Sequence, residues 1–166
     1  MAQASVEAIS FLLSVASDVG LSRMTGTDYI GFAAKIAATY ADSASCRSAI
    51  SRAYYGAFHL ARSLLDRLET RPPRNANVHV FIQHRLANCG HPLAVEAGCF
   101  LADLYADRLN ADYNLNKKQV ETVSYARTSV ETAKRIQHAL EACDNDQVRE
   151  QIKAGIADYE RRIAGS

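Results

Sequence analysis

Apolar residues recur along this chain at steps of three and four, and nowhere do apolar and polar positions alternate long enough to predict a strand. The pattern predicts helices throughout. A first helix covers Ala4 to Asp18 and stops near Gly20. After a loop from Ser22 to Gly26, Thr27 or Asp28 caps a second helix that runs through Tyr40. Ser43 caps a long central helix on which Ile50, Ala53, Ala57, Ala61, Leu64 and Leu68 draw one apolar stripe. Its other side, with Arg47, Ser51, Arg62 and Asp66, reads as a solvated face.

The segment Thr70 to Asn77 holds Arg71-Pro72-Pro73-Arg74 and predicts a loop, because adjacent prolines cannot continue a helix. Val78 to Asn88 forms a shorter helix closed by Gly90, and His91-Pro92 opens the next, which runs to about Ala111. Asn116 with Gln119 has capping-box spacing and starts a further helix ending near Cys143. Asp144 with Gln147 repeats that signal for a last helix, whose Val148, Ile152, Ile156, Tyr159 and Ile163 form a stripe that must pack on something. The expected fold is all-α: an up-and-down bundle of four or five helices with an extra N-terminal and an extra C-terminal helix. The boundaries fall at 1–26 for the N-terminal helix and linker, 27–143 for the bundle, and 144–166 for an amphipathic helix packed on it.

Composition narrows the function classes. A chain of 166 residues, 48% of them hydrophobic and 22% charged, buries enough surface to fold as one domain without metals or disulfides. The net charge of +1 gives no overall field toward nucleic acid or membrane, so any nucleic-acid contact must be local. Such a patch exists: from Arg47 to Arg74 there are six arginines against Asp66 and Glu69.

Cys46, Cys89, Cys99 and Cys143 lack zinc-ligand spacing and read as reduced, half-buried thiols of a cytoplasmic protein. The apolar run from Ile9 to Ala16 is short, broken by serines and preceded by Glu7, which fits neither a signal peptide nor a membrane span. No phosphate loop, dinucleotide turn, zinc-protease helix or nucleophile elbow is present, so neither a cofactor nor a metal is expected. The five histidines, His59, His79, His84, His91 and His138, are scattered and read mainly as surface or cap residues.

Two segments carry chemistry. In Ser51-Arg52-Ala53-Tyr54-Tyr55-Gly56-Ala57-Phe58-His59, Arg52, Tyr55 and His59 share one helix face beside the apolar stripe. Gly56 costs about 1 kcal/mol relative to alanine in a helix and lets another backbone or a ligand come close. The same residues also read as packing at a helix crossing, with Arg52 paired to a carboxylate. In the second segment, Asp107 to Asn114, Arg108 falls in phase with buried-face Ala97, Leu101 and Leu104, so its guanidinium must find partners. Asp112, one turn on, is one candidate, while Asp107 points elsewhere. The arrangement is either a salt bridge closing the bundle or an arginine held to grip phosphate.

Arg-Ala-Tyr-Tyr-Gly-Ala-Phe-His on a central helix, followed by Arg-x-x-Ala-Asp-Tyr at a later helix end, resembles the small stand-alone HEPN proteins, over roughly Asp28 to Leu140. The resemblance implies a helical bundle that homodimerises so that two clefts form one composite site. Many HEPN proteins are metal-independent endoribonucleases in toxin–antitoxin pairs, defence and RNA processing; others bind RNA, nucleotides or a nucleotidyltransferase-fold partner. The catalytic branch places a histidine four to six intervening residues after an arginine. Arg108 matches that arginine, but the allowed positions hold Tyr113, Asn114 and Leu115, none of which exchanges protons readily at neutral pH.

The expected function is therefore a binding module presenting Arg52, Tyr55, His59, Arg108, Asp112 and Tyr113 to RNA, a nucleotide or a partner protein. A ribonuclease with a non-standard site of Arg108, Asp112, Tyr113 and His59 is one alternative. A non-catalytic scaffold or antitoxin-like subunit is the other.

Overall fold

The computed structural model describes residues 24–75 and 77–165, so the predicted helix from Ala4 to Asp18 lies outside the described residues. The described chain is an all-helical bundle. Its helices are α1 (Gly26–Thr39), α2 (Ser43–Arg67), α3 (Val78–Asn88), α4 (Pro92–Tyr113), α5 (Val123–Ala142) and α6 (Asp146–Ala164), with a short 3-10 helix, Lys118–Glu121, before α5. Among the described residues, no helix is long and apolar enough to cross a membrane.

Polar side chains cap four of the six described helices, mostly one or two positions from where spacing alone put them. Thr25, not Thr27 or Asp28, caps α1: its hydroxyl accepts from the Asp28 amide while the Asp28 carboxylate takes the Thr25 amide at 2.8 Å. Asp42 rather than Ser43 caps α2, accepting from the Ser45 amide at 2.9 Å. Thr122 caps α5, because the chain from Asn116 first closes into the 3-10 turn. Asn145 rather than Asp144 caps α6. At the end of α2, Glu69 takes left-handed backbone (φ 59°), which turns the chain into the proline loop.

Helix α2 is the axis of the bundle and packs on α1, α4 and α5, while α3 lies on α4 and carries α6 on its outer side. The stripe Ile50, Ala53, Ala57, Ala61, Leu64 and Leu68 is buried, joined by Tyr54, Phe58 and Leu65. The α1–α2 crossing is tight enough to explain Gly56. A Cβ there would sit 2.5 Å from Ile30 and 2.7 Å from the Gly26 carbonyl, so the close neighbour is the backbone of α1.

Two expectations about exposure change. Arg62 and Asp66 are solvated, but Arg47 and Ser51 are each only 9% exposed, because α4 and the 3-10 turn cover that end of α2. On α6, Ile152 and Ile156 are buried while Ile163 is 48% exposed, so the stripe packs through its middle and runs off the bundle at its end. Cys46, Cys89 and Cys143 are fully buried rather than half-buried, and Cys99 is exposed.

Candidate functional site

The polar residues that α2 turns toward α4 follow a four-residue step, so Arg47, Ser51 and Tyr55 stack along one edge of the helix. Each holds a successive part of the α4 terminus. Arg47 Nη1 donates to the carbonyls of Asn110 (3.1 Å), Ala111 (2.8 Å) and Asn114 (3.2 Å). Its Nη2 reaches the carbonyls of Asn114 (3.1 Å) and Lys117 (3.3 Å), and Nε and Nη2 both donate to the Glu121 carboxylate. The last carbonyls of a helix have no partners within it, and here one buried arginine supplies them. Ser51 Oγ donates to Asp112 Oδ2 at 3.3 Å, and Tyr55 Oη accepts from Arg108 Nη2 at 2.6 Å.

Arg108 stands at the centre of this end of the bundle with its side chain 12% exposed. Its Nη2 also donates to Tyr113 Oη at 3.3 Å, and its carbon centre lies 5.2 Å from the Tyr55 ring and 5.1 Å from the Tyr113 ring. Nε lies 2.7 Å from Asp112 Oδ2, yet its N–H does not point along that line. The contact is thus an ion pair without a hydrogen bond, and Nε is buried with its donor unused. Nη1 makes no hydrogen bond among the described residues. Burial works against the Arg108 charge, but Tyr55, Asp112 and Tyr113 outweigh it and hold its pKa above the ordinary value.

The other expected site residues divide. Tyr55, Asp112 and Tyr113 all touch Arg108. Arg52 is exposed and has neither an ion pair nor a hydrogen bond among the described residues, so the carboxylate partner of the packing account is not there. His59 turns toward α1, where its ring lies 5.4 Å from Tyr29, and it lines a groove between α1 and α2 with Leu60, Arg62 and Ser63. Its stacking contact with Tyr55, at 6.5 Å, links it only loosely to the Arg108 cluster. Burial, and then the Arg62 charge, hold its pKa below the usual histidine range. Asp107 turns away from Arg108 and accepts from Tyr125 Oη at 2.6 Å.

A histidine that the sequence reading passed over does join the cluster. His79, on the first turn of α3, lies with Nδ1 2.6 Å from Tyr54 Oη, and its ring stacks on Tyr105 at 5.2 Å and packs on Phe58 at 4.6 Å. Tyr105 is one turn before Arg108 on α4, so the ring on which the imidazole stacks neighbours Arg108 along that helix. Burial, and then the Arg108 charge, push its pKa down. The signal was present: His79 is in phase with Ile82 and Leu86, the buried face of α3, and Tyr105 with Leu101 and Arg108 on α4.

The basic patch is smaller than its arginine count, since Arg47 is spent inside the fold and Arg67 pairs with Asp144 at 3.2 Å. Tyr113 and Leu115, 70% and 72% exposed, put an apolar surface beside Arg108. Among the described residues, no three His, Cys, Asp or Glu side chains gather where they would hold a metal ion. No family model, curated protein or solved structure matches this chain.

Proposed function

We propose that this protein is a HEPN-type helical module that acts by binding, with Arg108 as the group that engages the phosphate of an RNA or nucleotide. The observation carrying this reading is the contrast between Arg47 and Arg108, whose side chains are 11% and 12% exposed. Arg47 has every guanidinium nitrogen hydrogen-bonded and serves the fold. Arg108 is equally enclosed, but among the described residues only its Nη2 is hydrogen-bonded, while Nε faces the Asp112 carboxylate as an ion pair and Nη1 is unbonded. An arginine serving only as a bundle clasp would use its donors internally, because unused buried donors are costly. One held by two tyrosine hydroxyls and a carboxylate, with Nη1 in reserve, is preorganised for an incoming anion.

The exposed Tyr113 ring offers a face on which a base can stack, as aromatic side chains do for single-stranded nucleic acid. Together with Leu115 it also supplies the apolar margin that a second copy would cover in a homodimer. Arg52, exposed and unpaired, adds charge to α2 near this end.

Fluorescence anisotropy with a labelled single-stranded RNA in chelator, alongside Arg108→Ala, tests the reading. Saturable binding that the substitution abolishes, with the RNA left intact, is the expected result. Binding that survives the substitution would reject Arg108 as the contact, and metal-independent cleavage would replace the binding module with an endoribonuclease. Light scattering on the same samples reports whether the chain is a dimer.

A further inference from the structure

We infer that His79 is a second ligand-contacting residue of the Arg108 site, and that a phosphate anion binds there together with a proton taken up by this imidazole. The inference rests on the phosphate-binding reading of Arg108 and adds to it the group that completes its charge. Asp112 lies 2.7 Å from Arg108 Nε, so the guanidinium comes to the ligand already paired with a carboxylate and the pair carries no net charge. An anion entering a half-buried place needs a further positive group or pays its desolvation unaided.

The imidazole stacks on Tyr105, one turn before Arg108 on α4, and feels the Arg108 charge. Tyr54 is fully buried, and the hydrogen bond between its Oη and His79 Nδ1 fixes the ring from one side. Stacking on Tyr105 and packing on Phe58 fix it from two others. Its Nε2 makes no hydrogen bond among the described residues, and the side chain is half-buried rather than sealed. A ring pinned on one nitrogen and open on the other is oriented before any ligand arrives. The titratable and charged groups that face or act on it are Tyr54 on α2, and Tyr105 and Arg108 on α4. Among the described residues no carboxylate is paired with His79, and burial and then Arg108 both oppose its charged form. An anion beside Nε2 reverses that balance: the ring takes a proton from solvent and holds both N–H groups, Nε2 donating to the anion and Nδ1 to the Tyr54 hydroxyl oxygen.

The sign follows. The imidazole pKa is low in the free protein and rises when the anion binds, so affinity increases as pH falls from neutral and levels off below the free-state pKa. The experiment is calorimetric titration of the full chain with a short single-stranded oligoribonucleotide lacking terminal phosphates, in buffers of different ionisation enthalpy. Adenosine monophosphate serves as the second probe, so the two arms separate a diester phosphate from a terminal one. Net proton uptake on oligonucleotide binding is expected, with its disappearance in His79→Gln and roughly tenfold weaker binding at about pH 6, the worth of one charge-assisted hydrogen bond.

Because His79→Gln disturbs the buried Tyr54 hydroxyl, the imidazole carbon-bound proton resonances of the unaltered protein provide a second readout. They should move toward the protonated position as ligand is added. Arg108-dependent binding without proton uptake and without that movement would overturn the inference while leaving the phosphate site standing. If neither probe binds, the inference and the phosphate site fail together.

Discussion

Arg47 Nη1 donates to the carbonyl oxygen of Ala111 at 2.8 Å, deep between α2 and the end of α4, across sixty-four residues of sequence. That bond anchors the terminus from which Arg108, Asp112 and Tyr113 project, so the fold-serving arginine also sets the geometry of the site-bearing one. Arg47→Ala removes the guanidinium from the Ala111 and Lys117 carbonyls and from the Glu121 carboxylate, which keeps only Ser43 and Lys118 among the described residues, and should cost roughly 3 kcal/mol. Arg47→Lys should recover only part, since a point charge cannot span carbonyls and carboxylate together. Urea denaturation of the three proteins checks the order; equal midpoints would show that the helix end does not depend on this residue.

Asp112 competes with any anion for Arg108. Replacing it with asparagine keeps an oxygen for Ser51 Oγ and removes the opposing charge. The stability cost should be small, about 0.5 kcal/mol for an i,i+4 ion pair open to solvent on one side. RNA affinity should rise severalfold, with a steeper dependence on salt, because a fuller positive charge displaces more counterion. Weaker binding by Asp112→Asn would mean that the carboxylate orients the guanidinium more than it screens it. Anisotropy at two ionic strengths distinguishes these outcomes.

Much of this was legible from residue order. The α2 stripe and the α4 phase fixed which faces are buried, and Arg108 with Asp112 one turn on was readable as a pair. Gly56 announced a close approach, which turned out to be the α1 backbone. Arg47 and Ser51 were misplaced for a physical reason: they lie off the apolar stripe, and periodicity cannot say that the end of another helix will cover a polar edge. His79 was passed over because its significance comes from Tyr54 and Tyr105, on two other helices. Local spacing shows which residues share a face, whereas a site assembled from α2, α3 and α4 depends on how those faces meet.

Thiol chemistry offers a direct check of the packing. Burial raises the pKa of Cys46 and Cys89, and burial followed by the neighbouring Cys89 pushes Cys143 up to about 11. Since the thiolate is the reactive form, these three should resist an aromatic disulfide reagent in the native protein, and only exposed Cys99 should react at once. In denaturant all four should react. Rapid modification of more than one thiol in native buffer would contradict the burial around α2, α3 and α5.

Stability should also fall on mild acidification, and the two depressed histidines give the sign. His59 and His79 have folded-state pKa values below the ordinary 6.5, chiefly through burial, so below about that pH the unfolded chain binds protons that the folded chain does not. Their contribution is fully present above pH 6.5 and is lost as pH drops toward the folded values. Among the carboxylates burial raises Asp107, whereas hydrogen bonds lower Asp28 and Glu121. The comparison with His79→Gln therefore isolates the histidine share of the change between about pH 7 and pH 5. Urea midpoints across that interval should decline with acid, and His79→Gln, by removing one of the two groups, should flatten the decline. An unchanged slope in that variant would mean that His79 takes up its proton as easily in the folded protein as in the unfolded chain, which its enclosure by Tyr54, Phe58 and Tyr105 argues against.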